Sequence, residues 1–189
     1  MIHQLWPTPF LKISMPTDLR DKISNWILVD YDLNNPPSDF SEFNILESTN
    51  PEIVEFKNDV ILPAFNQFLQ ETVGKDLNSW KYKLKGWVTG SGKYYNINYH
   101  NHRGAQLSAV FYLWCDDKNA GGQITFTDPR HNANRGYDES FKPWFQDLTF
   151  TPENGDIVVF PSFLYHFVST YHGNIRLAMP VDLFLHNSF

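Results

Sequence analysis

Apolar positions follow two different rhythms along the chain, changing near residue 80. In the first part they recur every three or four residues, the spacing of a helix face. The stretch "PTDLRDKISNWIL" offers Thr17 as an N-cap and Asp18 in the first turn, and it sets Leu19, Ile23, Trp26 and Ile27 on one face of a predicted helix. A polar, proline-containing loop, "DLNNPPSDFSE", comes next. The second predicted helix, "NPEIVEFKNDVILPAFNQFLQETVG", has Asn50 as cap, Pro51 at the first helical position and Glu52 beside the positive end of the dipole. Ile53, Phe56, Val60, Ile61, Phe65, Phe68 and Leu69 form its buried stripe, Pro63 predicts a kink, and Gly74 predicts a stop.

Beyond residue 80 the apolar positions alternate or run together. "WKYKLKGWVTG", "KYYNINY", "AQLSAVFYLWC", "GGQITFTD", "QDLTFTP", "GDIVVFPSFL", "YHFVST" and "NIRLAMPVDLFL" are short, β-branched or aromatic, and bounded by Gly, Pro, Asn or Asp. About eight strands so spaced predict a mainly β sandwich or barrel with the two N-terminal helices packed outside it. No repeat, low-complexity tract or linker breaks the 189 residues, so the expectation is a single domain with helical cover and loops over 1–79 and a β core over 80–189. Residues 128 to 145, "DPRHNANRGYDESFKPWF", form the one long stretch without periodicity. With Arg130, His131, Arg135, Tyr137 and Trp144, they are the candidate substrate lid.

Composition narrows the classes. Hydrophobic residues make up 42% and aromatics 16%, enough for a substantial core and too many for a disordered chain. Lys plus Arg number 15 against 21 Asp plus Glu, a net charge of −6 with no basic cluster, which disfavours a nucleic-acid groove. Cys115 is the only cysteine, so neither an internal disulfide nor a cysteine-rich zinc site is available. No apolar run approaches the roughly 20 residues that span a bilayer, and the N-terminal stretch lacks a signal pattern. The expectation is a cytoplasmic protein without membrane or nucleic-acid partners.

Candidate chemistry begins at "NINYHNHRGAQLSAVFYLW". Residues i and i+2 of a strand point to one face, so His100 and His102 can aim their rings at one point. His166 follows a very apolar strand, and Arg176 comes ten residues later. If "TYHGN" is a hairpin turn, His166 and Arg176 become neighbours on one interior face. An inward cation beside apolar residues requires an anion. A ligand carboxylate suits a planar guanidinium, and Asp182 is the alternative protein partner on that hairpin.

The ordered set of HxH, "GGQITF", "GDIVVFPSFLYH" and "GNIR" resembles the non-heme Fe(II), 2-oxoglutarate-dependent oxygenases of the double-stranded β-helix (jelly-roll, cupin-like) fold. It is most similar to the prolyl-hydroxylase-like branch and to oxygenases common in bacterial and phage genomes. The match covers residues 84 to 186, and "LWPTPFLKI" adds to it. The resemblance implies an oxidoreductase, a dioxygenase of hydroxylase type, that uses Fe(II), 2-oxoglutarate and O2 on a small-molecule or peptidyl substrate. It further implies that His100 and His166 are iron ligands, that Arg176 pairs with the distal carboxylate of 2-oxoglutarate, and that Tyr112 hydrogen-bonds the same end.

The chain departs from the family's pattern in two places. Where the family has a carboxylate two residues after the first histidine, this chain has His102, which completes a three-histidine metal set and leaves the metal one negative charge short. Asp128 is the alternative third ligand, with His102 beside it. A register opening at "HRG" resembles iron halogenases, and loss of the metal is a further reading. Ala178 stands where many relatives carry serine. Outside the oxygenase reading remain a three-histidine cupin-type metalloenzyme that does not use 2-oxoglutarate and a non-catalytic jelly-roll binding module. His3, His131, His172 and His186 are expected to be unrelated to the metal, and Cys115 to be a small buried hydrophobe.

Overall fold

The computed structural model describes residues 7–30, 44–91, 93–130, 140 and 146–186. In chain order its elements are β1 (Leu11–Ser14), α1 (Thr17–Asp30), α2 (Pro51–Phe56), α3 (Leu62–Val73), β2 (Lys81–Gly86), β3 (Thr89–Ser91), β4 (Tyr95–His100), β5 (Leu107–Cys115), β6 (Ile124–Phe126), β7 (Leu148–Phe150), β8 (Asp156–Pro161), β9 (His166–Tyr171) and β10 (Arg176–His186).

Both helical predictions hold. Ile23 and Ile27 of α1 are fully buried, and Asn50 caps α2 by accepting the Glu52 N–H at 2.9 Å. Between α2 and α3 the residues Lys57–Ile61 form a π-helical turn. The cause lies just downstream: Pro63 has no N–H to give the Asp59 carbonyl, and its ring crowds that oxygen. The widened turn absorbs both effects without breaking the helix. Gly74 ends α3 in the left-handed region at φ 67°.

The strands form two antiparallel sheets among the described residues, one ordered β1-β8-β5-β10-β2 with β3 also on β10, the other ordered β4-β9-β6-β7. The near-continuous apolar runs of β5, β8 and β10 occupy the centre of the larger sheet because both of its faces are covered. Odd positions (Leu107, Ala109, Phe111, Leu113, Ile157, Val159, Leu177, Met179, Val181, Leu183) pack with Ile23, Ile27, Phe56 and Phe65 of the helices. Even positions (Val110, Tyr112, Val158, Phe160, Ala178) pack with Ile124, Phe126 and Val168 of the smaller sheet. Two facing sheets with this strand order are the double-stranded β-helix, or jelly roll.

Two details differ from the sequence reading. Leu11–Ser14 lies within the stretch read as helical cover and loops, yet it is an edge strand paired with β8 from Leu11↔Val159 to Ser14↔Asp156. Four residues carry too little alternation to reveal a strand whose partner lies so far along the chain. The hairpin expected at "TYHGN" does not form. β9 pairs with β4 and β6, whereas β10 pairs with β5, β2 and β3, so this segment carries the chain from one sheet to the other. His166 and Arg176 thus stand on opposing sheets. No helix among the described residues is long and apolar enough to cross a membrane.

Candidate metal centre

The smaller sheet brings the histidines together. His100 ends β4 and His166 begins β9, and the two are direct partners in the ladder. His102 lies two residues beyond β4, held by its N–H donating to the Ser162 carbonyl at 3.1 Å. Ring centroids are 4.3 Å apart for His100 and His166, 5.2 Å for His102 and His166, and 5.3 Å for His100 and His102. One ring nitrogen from each lies within 4.8 Å of the others, a spacing able to hold one metal ion.

Hydrogen bonds fix which nitrogen that is. Nδ1 of His100 meets the Asn98 carbonyl at 2.7 Å, and Nδ1 of His166 meets the Leu164 carbonyl at 3.0 Å. His102 Nδ1 meets Asp182 Oδ1 at 2.7 Å. Carbonyl and carboxylate oxygens only accept, so Nδ1 is the donor on all three rings and Nε2 is the nitrogen left for a metal. Burial disfavours the charged form of two of the rings: it lowers the pKa of His100 and pushes that of His166 down to about 3. Trp87 stacks on His102 at 5.7 Å, while Phe126 and Phe160 hold the His166 ring at 5.3 and 5.1 Å.

The histidines share a cavity of about 140 Å³ with Arg176 and Tyr112. Its wall includes Trp87, Tyr95, Ile97, Val110, Ile124 and Val168. Arg176 is buried on β10, with its guanidinium over the Tyr112 ring at 5.3 Å. The Tyr112 hydroxyl is buried without a hydrogen-bond partner among the described residues, and burial raises its pKa, so the phenol keeps its proton. A β-bulge between Leu177 and Ala178 adjusts the register where β10 passes Tyr112. Ala178 supplies no hydroxyl, but Thr89, opposite it on β3, lines the cavity and donates to the Ala178 carbonyl at 3.2 Å.

The carboxylates fall differently from either sequence alternative. Asp182 turns to His102, and its Oδ1 also accepts from Ser108 Oγ at 2.7 Å. Asp128 is gripped by Arg130 through Nε at 3.0 Å and Nη2 at 2.5 Å, and it stands outside the histidine group. The expected lid residues His131, Arg135, Tyr137 and Trp144 lie outside the described residues. Cys115 is only half-buried, with its Sγ 3.4 Å from the Tyr171 hydroxyl. Sequence reasoning did not give Trp87, Thr89 or Ser108 a place in the site. The one available signal was parity, since Ser108 shares the inward face of β5 with Tyr112.

The family model described as "Putative 2OG-Fe(II) oxygenase" matches residues 85–182, more than half of the chain. No curated protein matches the sequence. Among solved structures, a Pseudomonas putida prolyl-4-hydroxylase is similar at TM-score 0.63 and 17% identity, covering 96% of this chain and 89% of its own. A Trichoplax adhaerens prolyl hydroxylase, in complex with a hypoxia inducible factor peptide fragment, gives TM-score 0.63 at 13% identity, covering 93% and 83%. A 2OG-Fe(II) oxygenase family oxidoreductase from Burkholderia pseudomallei gives 0.51 at 18% identity over 75% of this chain, which spans 62% of that protein's length. The structural likenesses bear on the fold, and the sequence match bears on descent. This chain belongs to the 2OG-Fe(II) oxygenases, oxidoreductases that use Fe(II), 2-oxoglutarate and O2.

Proposed function

We propose that the protein is a hydroxylase in which His100, His102 and His166 hold Fe(II) while Arg176 and Tyr112 receive the distal carboxylate of 2-oxoglutarate. One observation carries the reading: three imidazoles that all spend Nδ1–H on oxygen acceptors share a single cavity with a buried guanidinium. The donor set fits the ion, because neutral imidazole nitrogen suits Fe(II) and metal binding requires deprotonated ligands. The far end of the cavity fits the keto acid. An Arg fork matches a carboxylate, and the orphaned Tyr112 hydroxyl is a buried donor in want of an acceptor.

When bound, Fe(II) with 2-oxoglutarate and O2 supplies oxidative decarboxylation to succinate and CO2, coupled to oxidation of a substrate C–H bond. The protein's own residues bind and orient. Arg176 and Tyr112 fix the keto acid by its remote end, and the ladder pairing of His100 with His166 sets two rings relative to each other. Ile97, Val110, Ile124 and Val168 give the cavity an apolar wall that excludes water and suits the hydrocarbon part of a small-molecule or peptidyl substrate. A halogenase register opening at His102 is less well supported, because His100 and His102 both enter the histidine group.

The test is anaerobic loading with Fe(II) and 2-oxoglutarate, followed by admission of O2 and assay of succinate. Succinate is expected from the wild type, and loss of 2-oxoglutarate binding from Arg176→Ala. Undiminished binding in Arg176→Ala would overturn the assignment.

A further inference from the structure

Three imidazole ligands would bring Fe(II) no negative charge, yet a carboxylate lies one hydrogen bond behind one of them. We propose that Asp182 is a positioning residue of the metal centre, supplying through His102 the negative charge that the ligands themselves lack. The inference rests on the three-histidine reading above.

Asp182 is 8% exposed, in a strand whose neighbours Val181 and Leu183 are fully buried. A carboxylate in such a place is costly unless it is paired and hydrogen-bonded. Its Oδ1 accepts His102 Nδ1–H and Ser108 Oγ–H, each at 2.7 Å. Because Ser108 spends its proton on Asp182, the 2.8 Å contact between the two serine hydroxyls has Ser162 as donor. The Ser162 carbonyl in turn accepts the His102 N–H. Ring and main chain of His102 are therefore tied to the same group of three residues.

The three histidines differ in this respect. His100 and His166 give Nδ1–H to neutral carbonyls, and only His102 gives it to a carboxylate. A carboxylate acceptor fixes the tautomer and raises the basicity of the opposite nitrogen, which tightens a bound metal. The strand makes the arrangement economical: Arg176 and Asp182 share one face of β10, six residues apart, with Arg176 lining the cavity and Asp182 behind His102.

The experiment measures anaerobic Fe(II) affinity by chelator competition, together with the Fe(III)/Fe(II) potential, in folded wild type, Asp182→Asn, Ser108→Ala and His102→Ala. Asp182→Asn is expected to weaken Fe(II) about 10- to 100-fold and to raise the potential. Ser108→Ala leaves the charge in place and should cost less. His102→Ala with unchanged Fe(II) affinity would overturn the ligand set itself. Weakening in His102→Ala but wild-type affinity and potential in Asp182→Asn would overturn only the role of Asp182, as would an equal loss in Ser108→Ala. A wild-type measurement covers the case in which Asp182→Asn does not fold. In protein with ¹⁵N-labelled histidine and Zn(II) as diamagnetic probe, His102 should keep its Nδ1 proton and bind metal through Nε2, and metal on Nδ1 would refute the proposal.

Discussion

The larger sheet has two buried faces made from alternate residues of the same strands, and they carry opposite chemistry. The odd face, against the helices, is apolar at every position of β5, β8 and β10 that joins the core: Leu107, Ala109, Phe111, Leu113, Ile157, Val159, Leu177, Met179, Val181 and Leu183. The even face, against the smaller sheet, buries Ser108, Tyr112, Arg176 and Asp182 among Val110, Val158 and Phe160. Burial alone does not separate the two faces, since residues on both are buried. They differ in what burial costs: the odd face gains from leaving water, whereas every polar group on the even face must be matched by a partner or a ligand. Tyr112, whose hydroxyl has no partner among the described residues, is where the proposed reading puts the ligand.

Substitutions on the two faces should separate stability from chemistry. The largest effect is expected on the odd face. Phe111 is fully buried and meets the Phe56 ring edge-on at 5.7 Å, so Phe111→Ala should lower unfolding free energy by about 3–5 kcal/mol in urea denaturation. The protein that remains folded should bind Fe(II) and 2-oxoglutarate as the wild type does. Next comes Arg176→Met, which keeps a long side chain over Tyr112 while removing the charge. Calorimetry should show a loss of about 2–5 kcal/mol in 2-oxoglutarate affinity, with a far smaller change in the denaturation midpoint. Smallest is Tyr112→Phe, which should weaken 2-oxoglutarate by about 0.5–1.5 kcal/mol. Without ligand it should be no less stable than the wild type, because it deletes a hydroxyl that has no partner among the described residues. A marked loss of ligand-free stability in Tyr112→Phe would blur the contrast between the faces.

How far these faces could be read in advance follows from what is local. The strand segments, the Asn50 cap and the Gly74 stop depend on neighbours in sequence and were legible there. So was the shared direction of His100 and His102, which the i, i+2 rule gives, whereas it was the resemblance to the oxygenases that placed His166 with them. Alternation tells which face a residue takes but not which strand lies beside it. That is why a hairpin was expected at "TYHGN", where the chain crosses between sheets, and why Leu11–Ser14 went unread as a strand. Asp182 was visible as the one inward carboxylate near Arg176. Its true partner, His102, lies 80 residues away in sequence, and only the pairing of β10 with β5 brings Ser108 opposite it.

The central claim is that one cavity on the even face holds the metal by three histidines and the keto acid by Arg176. Anomalous diffraction at the iron edge, from crystals grown anaerobically with Fe(II) and 2-oxoglutarate, tests it most directly. The account predicts one iron peak within bonding distance of Nε2 of His100, His102 and His166, with the distal carboxylate on Arg176 and Tyr112. An iron peak ligated by Asp128, or one that leaves His102 unbound, would contradict it.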